Sequence, residues 1–183
     1  CYSSEDCARA VAGEMGRLKS DDEQIGLLSF SPTDGQRWCE CDECLALDEE
    51  GVPKDRSMSR RSLIFYNEVA RHLRLIHPDA EMLVGAYNVY NWPPQDRSIE
   101  ADPMLSVIIT HYQDYCMAHP IADKTCPRNR RYLELINAWD RLGTPVYYYE
   151  YYWKVNWLDL PWPIVHSIAA DIPWYYKRGD RGV

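Results

Sequence analysis

The sequence is short of what several large function classes require. It has no run of about 18 apolar residues, so no segment reads as a membrane-spanning helix. It has no basic stripe. Lys and Arg number 20 against 28 Asp and Glu, a formal net charge of -8, which leaves nothing to neutralise a phosphate backbone and excludes a nucleic-acid partner. The short basic runs, Arg60-Arg61 and Arg128 with Arg130 and Arg131, read as the solvated starts of helices. Neither Gly-x-Gly-x-x-Gly nor Gly-Lys-Ser/Thr occurs, which weakens any nucleotide-binding reading. No Cys-His nucleophile signature is present. No secretory signal is visible, but the chain begins at Cys1 without Met, and a further strand is expected at Gly182-Val183. A piece of a longer protein is therefore expected.

What is there is ordinary globular material with one bias. The chain is 46% hydrophobic and 26% charged, and its 183 residues suffice for one domain with a full core. Phe is scarce, at 2, whereas Tyr numbers 14 and Trp 7. Tyr and Trp join a flat apolar face to a polar tip. Such residues suit a surface for hydroxylated, apolar-faced ligands such as sugar rings; they also suit the edge of a core.

Apolar periodicity predicts a helix over Tyr2 to Leu18, on Cys7, Ala10, Val11, Met15 and Leu18. A strand over Ile25 to Phe30 runs into turn chemistry at Ser31-Pro32-Thr33-Asp34-Gly35 and a polar loop from Gln36 to Asp55. Leu63, Phe65, Tyr66, Val69, Ala70, Leu73 and Ile76 make an amphipathic helix that ends at Pro78-Asp79. Further strands are predicted over Met82 to Tyr87, Leu105 to Thr110 and Val146 to Tyr151, the second without polar alternation and so covered on both faces. Long loops run from Asn88 to Pro103 and from Tyr112 to Pro127. Helices are predicted on Tyr132, Leu135, Ile136, Trp139 and Leu142, closed by Gly143, and over Pro161 to Tyr176, broken or bent at Pro173. Buried strands alternating with helices, with long loops after the strands, predict an α/β fold. Residues 1–183 would form a single fragment of a (β/α)8 TIM barrel, about half of it, with parallel strands and long loops at their C-terminal ends. A doubly wound sheet obeys the same end rule.

In either arrangement the strand ends carry the chemistry. Ser31, Thr33 and Asp34 follow the first strand. Tyr87, Asn88, Tyr90 and Trp92 follow the second. His111, Gln113, Asp114 and His119 follow the third. Tyr149, Glu150, Tyr151 and Trp153 end the fourth. Glycosidic cleavage needs one carboxylic acid to protonate the leaving oxygen and one carboxylate to attack or to activate water. Asp34 and Glu150 come from different strand ends and could flank a sugar. Burial of Glu150 among tyrosines would raise its pKa, as a general acid requires. Asp34 could equally form an Asx turn, and Glu150 a structural hydrogen bond to a tyrosine or arginine. His111 is a further catalytic candidate. Tyr87, Tyr90, Trp92, Asp114, His119, Tyr149 and Trp153 are the substrate-binding candidates, with His119 also suited to anchoring its loop. No cofactor is required.

The seven cysteines allow several arrangements. Disulfides could staple the loops, for example Cys116 to Cys126. Alternatively, Cys39, Cys41, Cys44 and Cys126 could hold a structural Zn²⁺, since Cys39 and Cys41 can hardly bond each other without strain. Free thiols are the third arrangement.

Ser31-Pro32-Thr33-Asp34-Gly35 followed by Trp38-Cys39-x-Cys41-x-x-Cys44 resembles the bacterial family catalogued as domain of unknown function 4838. Later segments fit in order: Phe65-Tyr66-Asn67-Glu68-Val69-Ala70, Pro78-Asp79, Ala86-Tyr87 with Pro93-Pro94, His119-Pro120 with Cys126 and Asn129, and Tyr149-Glu150-Tyr151. The resemblance implies a TIM-barrel glycoside hydrolase, secreted or periplasmic, acting on an oligosaccharide or polysaccharide. A non-catalytic carbohydrate-binding barrel and a metal-stabilised structural domain are the alternatives. The family pattern has Asn before Asp-Gly where this chain has Thr33, a departure that bears on activity if that side chain positions substrate or Asp34.

Overall fold

Apolar strands around Met82 and Val107 make the centre of the molecule, because their backbone groups can be satisfied in burial only by one another. The computed structural model describes residues 1–33, 37–110, 116–152 and 164–183. Strands β1 (Leu27–Phe30), β2 (Glu81–Ala86), β3 (Leu105–Thr110) and β4 (Val146–Tyr149) form one parallel sheet in the order β1-β2-β3-β4. The register pairs Leu28 with Met82, Val84 with Val107 and Ile109 with Tyr148. Each strand lies beside its predecessor in sequence, so these four strands contain no switch point of the kind a doubly wound sheet has. After the last helix the chain returns alongside β4, where Gly182 bridges Tyr147 in parallel.

The helices are α1 (Glu5–Asp21), α2 (Asp42–Leu45), α3 (Ser59–Arg74), α4 (Pro127–Asp140) and α5 (Val165–Arg178). Local chemistry moved their ends from the periodicity. Ser4 caps α1 by accepting the Cys7 N–H at 3.2 Å, so the helix begins after Tyr2 rather than at it. Pro127 opens α4, ahead of its first core residue Tyr132, where its missing N–H costs nothing. Gly179, at φ +82°, ends α5. Of the expected break or bend at Pro173, the break does not occur: α5 runs on through it. The fourth strand stops at Tyr149, and the short α2 lies inside the expected polar loop. None of the described helices is long and apolar enough to cross a membrane.

Among the described residues, α1, α3, α4 and α5 pack on one face of the sheet. Leu28, Met82, Val84 and Leu105 join Leu63, Phe65, Tyr66, Val69 and Leu73 of α3 with Ala8, Ala12 and Met15 of α1. Val107, Ile109, Val146 and Tyr148 join Tyr132, Leu135, Ile136 and Trp139 of α4 with Tyr175 of α5. Side chains alternate across a strand, so the other face takes Ser29, Leu83, Gly85, Ser106, Ile108, Thr110, Tyr147 and Tyr149. Part of that face is polar: Ser106 and Tyr147 both donate to Glu81.

Candidate functional site

The face away from the helices opens into a groove of about 310 Å³ at the carboxyl ends of the strands. Ser29, Ser31, Gly85, Tyr87, Ile108, Thr110, Tyr149 and Tyr151 line it, joined by Pro32 and Tyr90. Most come in pairs two residues apart, one pair per strand end, as period-two alternation dictates. The floor narrows between β1 and β2: a Cβ at Gly85 would stand 2.6 Å from Ser31 Oγ and 3.2 Å from its Cβ. Only glycine lets the serine hydroxyl lie there. On one wall the Tyr149 and Tyr151 rings meet edge to face at 5.1 Å. On the other, Tyr87 meets Tyr90 at 6.5 Å and Trp38 meets Tyr90 at 5.6 Å. The result is aromatic walls with hydroxyl groups between them.

Beside this rim, four thiols gather. Cys1 Sγ lies 3.4 Å from Cys44 Sγ, 3.6 Å from Cys41 Sγ and 3.8 Å from Cys39 Sγ, and Cys39 Sγ lies 3.5 Å from Cys41 Sγ. All four sulfurs fall within 4.8 Å of one another, so the quartet can hold a metal ion. Burial pushes the Cys44 thiol up, but hydrogen bonding with Ser3 and the neighbouring thiols outweighs it and brings Cys44 down to about 7. A second group is the exposed Glu5 with the half-buried Glu68 and His72, and Arg71 already engages both of its carboxylates.

A family model described as Domain of unknown function (DUF4838) matches residues 1–183. The chain belongs to this family. No curated protein and no solved structure matches it.

The DUF4838 chain brings some of the expected site residues together and separates others. Tyr87, Tyr90 and Tyr149 line the groove as expected. Glu150 follows Tyr149 and is not among the lining residues; its carboxylate accepts a hydrogen bond from Tyr175 Oη on the helix side. Tyr175 is buried and stacks on Tyr148 at 3.9 Å. Burial, then the nearby charges of Glu150 and Asp171, push the Tyr152 hydroxyl up to about 12. Trp92 is core rather than rim: it is 8% exposed, with Arg56 and Arg131 over its ring at 4.8 and 5.4 Å. It borders a separate cavity of about 420 Å³ with Arg97 and Arg141. His119 is exposed, away from the groove, and its Nδ1 sits 3.1 Å from Asp123 of its own loop. Asp34, His111, Asp114 and Trp153 lie outside the described residues.

The cysteine expectations of the DUF4838 chain need correction. All seven thiols are free, so Cys116 and Cys126 form no disulfide. Cys126 does not join Cys39, Cys41 and Cys44; Cys1 does. The reason is topological. Cys126 caps α4 beyond β3, whose loop Asn129 clamps through the Cys116 N–H at 2.8 Å, whereas Cys39, Cys41 and Cys44 follow β1, two strands across the sheet. Sequence reasoning also passed over Ser29, Gly85, Ile108 and Thr110. Their signal was available in the strand alternation, which puts them on the same face as Tyr87 and Tyr149.

Proposed function

We propose that this chain is part of a (β/α)-barrel glycoside hydrolase that binds a glycan in the groove at the strand ends. The tyrosine-walled, hydroxyl-floored groove carries the reading. Sugar rings offer an apolar face to stack on aromatics and hydroxyls to pair with Ser31, Thr110 and the tyrosine tips. The sequential parallel order, the helices on one face and the return of Gly182 beside β4 support a barrel, whose sites lie at the strand C-terminal ends. In this reading Asp34 and Glu150 supply the acid and base, His111 is a further catalytic candidate, and the stereochemical course follows the separation of the two carboxyls.

One observation favours a second reading, a carbohydrate-binding barrel without hydrolysis: the Glu150 carboxylate is engaged by Tyr175 behind the groove. A glycan-panel screen on the full-length protein with D34N and E150Q separates the two. Hydrolysis abolished by both substitutions supports the enzyme with this acid/base pair. Glycan binding without turnover supports the second reading, and absence of any glycan binding removes both.

A further inference from the structure

A tetrahedral zinc–thiolate centre has Zn–S distances of about 2.3 Å, which sets its S–S edges at about 3.8 Å. Four of the six sulfur separations in the quartet run from 3.4 to 3.8 Å, and all six fall within 4.8 Å. A disulfide would bring one pair to about 2.05 Å, and no pair among the seven cysteines is bonded. Thiols are weak donors and weak acceptors, so mutual S–H contacts alone are a poor reason for four of them to converge. They converge from distant places: Cys1 precedes α1, while Cys39, Cys41 and Cys44 follow β1.

The surroundings fit a bound cation. Ser3 Oγ lies 3.2 Å from Cys1 Sγ and accepts from Cys44 Sγ at 3.4 Å; once metal binding removes the thiol protons, the same hydroxyl is placed to donate to a thiolate. Such outer hydrogen bonds orient metal ligands. Arg61 Nη1 donates to the Cys39 carbonyl at 2.7 Å and fixes the first ligand's backbone. The set is all sulfur, which selects a soft ion over calcium or magnesium, and it is closed at four ligands, which marks a structural centre.

We infer that Cys1, Cys39, Cys41 and Cys44 bind one structural Zn²⁺ that clasps the segment before α1 to the loop after β1. Binding releases the thiol protons to solvent. The clasp bears on the groove through Trp38, which neighbours Cys39 and stands between Tyr2 at 5.1 Å and the groove residue Tyr90 at 5.6 Å. The inference goes beyond the proposed function and does not depend on it.

The test is metal analysis of the full-length protein purified from zinc-supplemented cells, with X-ray absorption at the zinc edge. One zinc per chain with four sulfur neighbours is expected. Cobalt substitution should give the visible bands of a tetrahedral thiolate site. Cys1→Ser, at an exposed position that leaves the core intact, should weaken zinc binding at least about tenfold, and Cys44→Ser should abolish it. Cys126→Ser should leave it unchanged. A folded wild-type protein without metal, a disulfide within the quartet, or zinc lost with Cys126→Ser but kept with Cys44→Ser would overturn the assignment.

Discussion

Arg61 forks onto Asp48, with Nε 2.9 Å from Oδ1 and Nη2 2.5 Å from Oδ2. The arginine is 1% exposed. A charge this buried is tolerated only when paired and fully hydrogen-bonded, and the third contact, to the Cys39 carbonyl, completes it. Removing one partner strands the other. Arg61→Ala should cost about 3–5 kcal/mol of stability, read from urea midpoints. Arg61→Lys should recover little, because an ammonium cannot make the fork. A loss under about 1 kcal/mol for the alanine variant would contradict the pairing.

Gly85 sets the depth of the groove. Gly85→Val should push Ser31 out of place, destabilise by about 1–3 kcal/mol through overpacking, and abolish glycan binding in calorimetric titration. Unchanged binding would show that the ligand does not reach the floor between β1 and β2.

Tyr149 is 52% exposed at the mouth of the groove. An exposed aromatic contributes little to folding, so Tyr149→Ala should shift stability by no more than about 0.5 kcal/mol. Loss of its stacking face should weaken glycan affinity by about tenfold. Wild-type affinity in this variant would assign the sugar to another surface.

Tyr175 donates to Glu150 from behind the sheet. If Glu150 is the catalytic acid, Tyr175→Phe should change the pH–rate profile of hydrolysis while E150Q abolishes turnover. An unchanged profile with E150Q fully active would make the pair purely structural.

Acid should destabilise the fold. Hydrogen bonds hold several carboxyls below their ordinary range: Asp96 through Ser98, Asp123 through Thr125, and Glu68 through Arg71. The unfolded chain therefore binds more protons. The stability these groups contribute is complete above the ordinary carboxylate range of about 4 and is lost as pH falls through the depressed folded values. Asp180 works oppositely, since burial raises it. The urea midpoint should begin to fall near about pH 4 and go on falling to about pH 2, and Ser98→Ala with Thr125→Val should flatten the fall. A pH-independent midpoint would contradict the assignment.

The parallel α/β architecture was legible in the sequence because it rests on local pattern. The stretch Leu105 to Ile109, apolar except at Ser106, reads as a central strand, and Leu63, Tyr66, Val69, Ala70 and Leu73 recur at helical spacing wherever the chain goes. Tyr87, Tyr90 and Tyr149 followed from the same logic, since a residue at a strand end inherits the face that alternation assigns. Parity also carries Glu150 away from its neighbours Tyr149 and Tyr151.

Trp92 and Cys1 depended on long-range contacts. Nothing local tells a rim tryptophan from a core one. Trp92 goes inward because Asp55 accepts its backbone N–H and Ser59 donates to its carbonyl, contacts made across more than 30 residues of chain. Cys1 stands 38 residues before Cys39, and only the packing of α1 on α3, beside the loop after β1, brings their sulfurs together. Periodicity determines which face of an element is buried, whereas the meeting of loops is set by how the buried faces stack, and that information is spread over the whole chain.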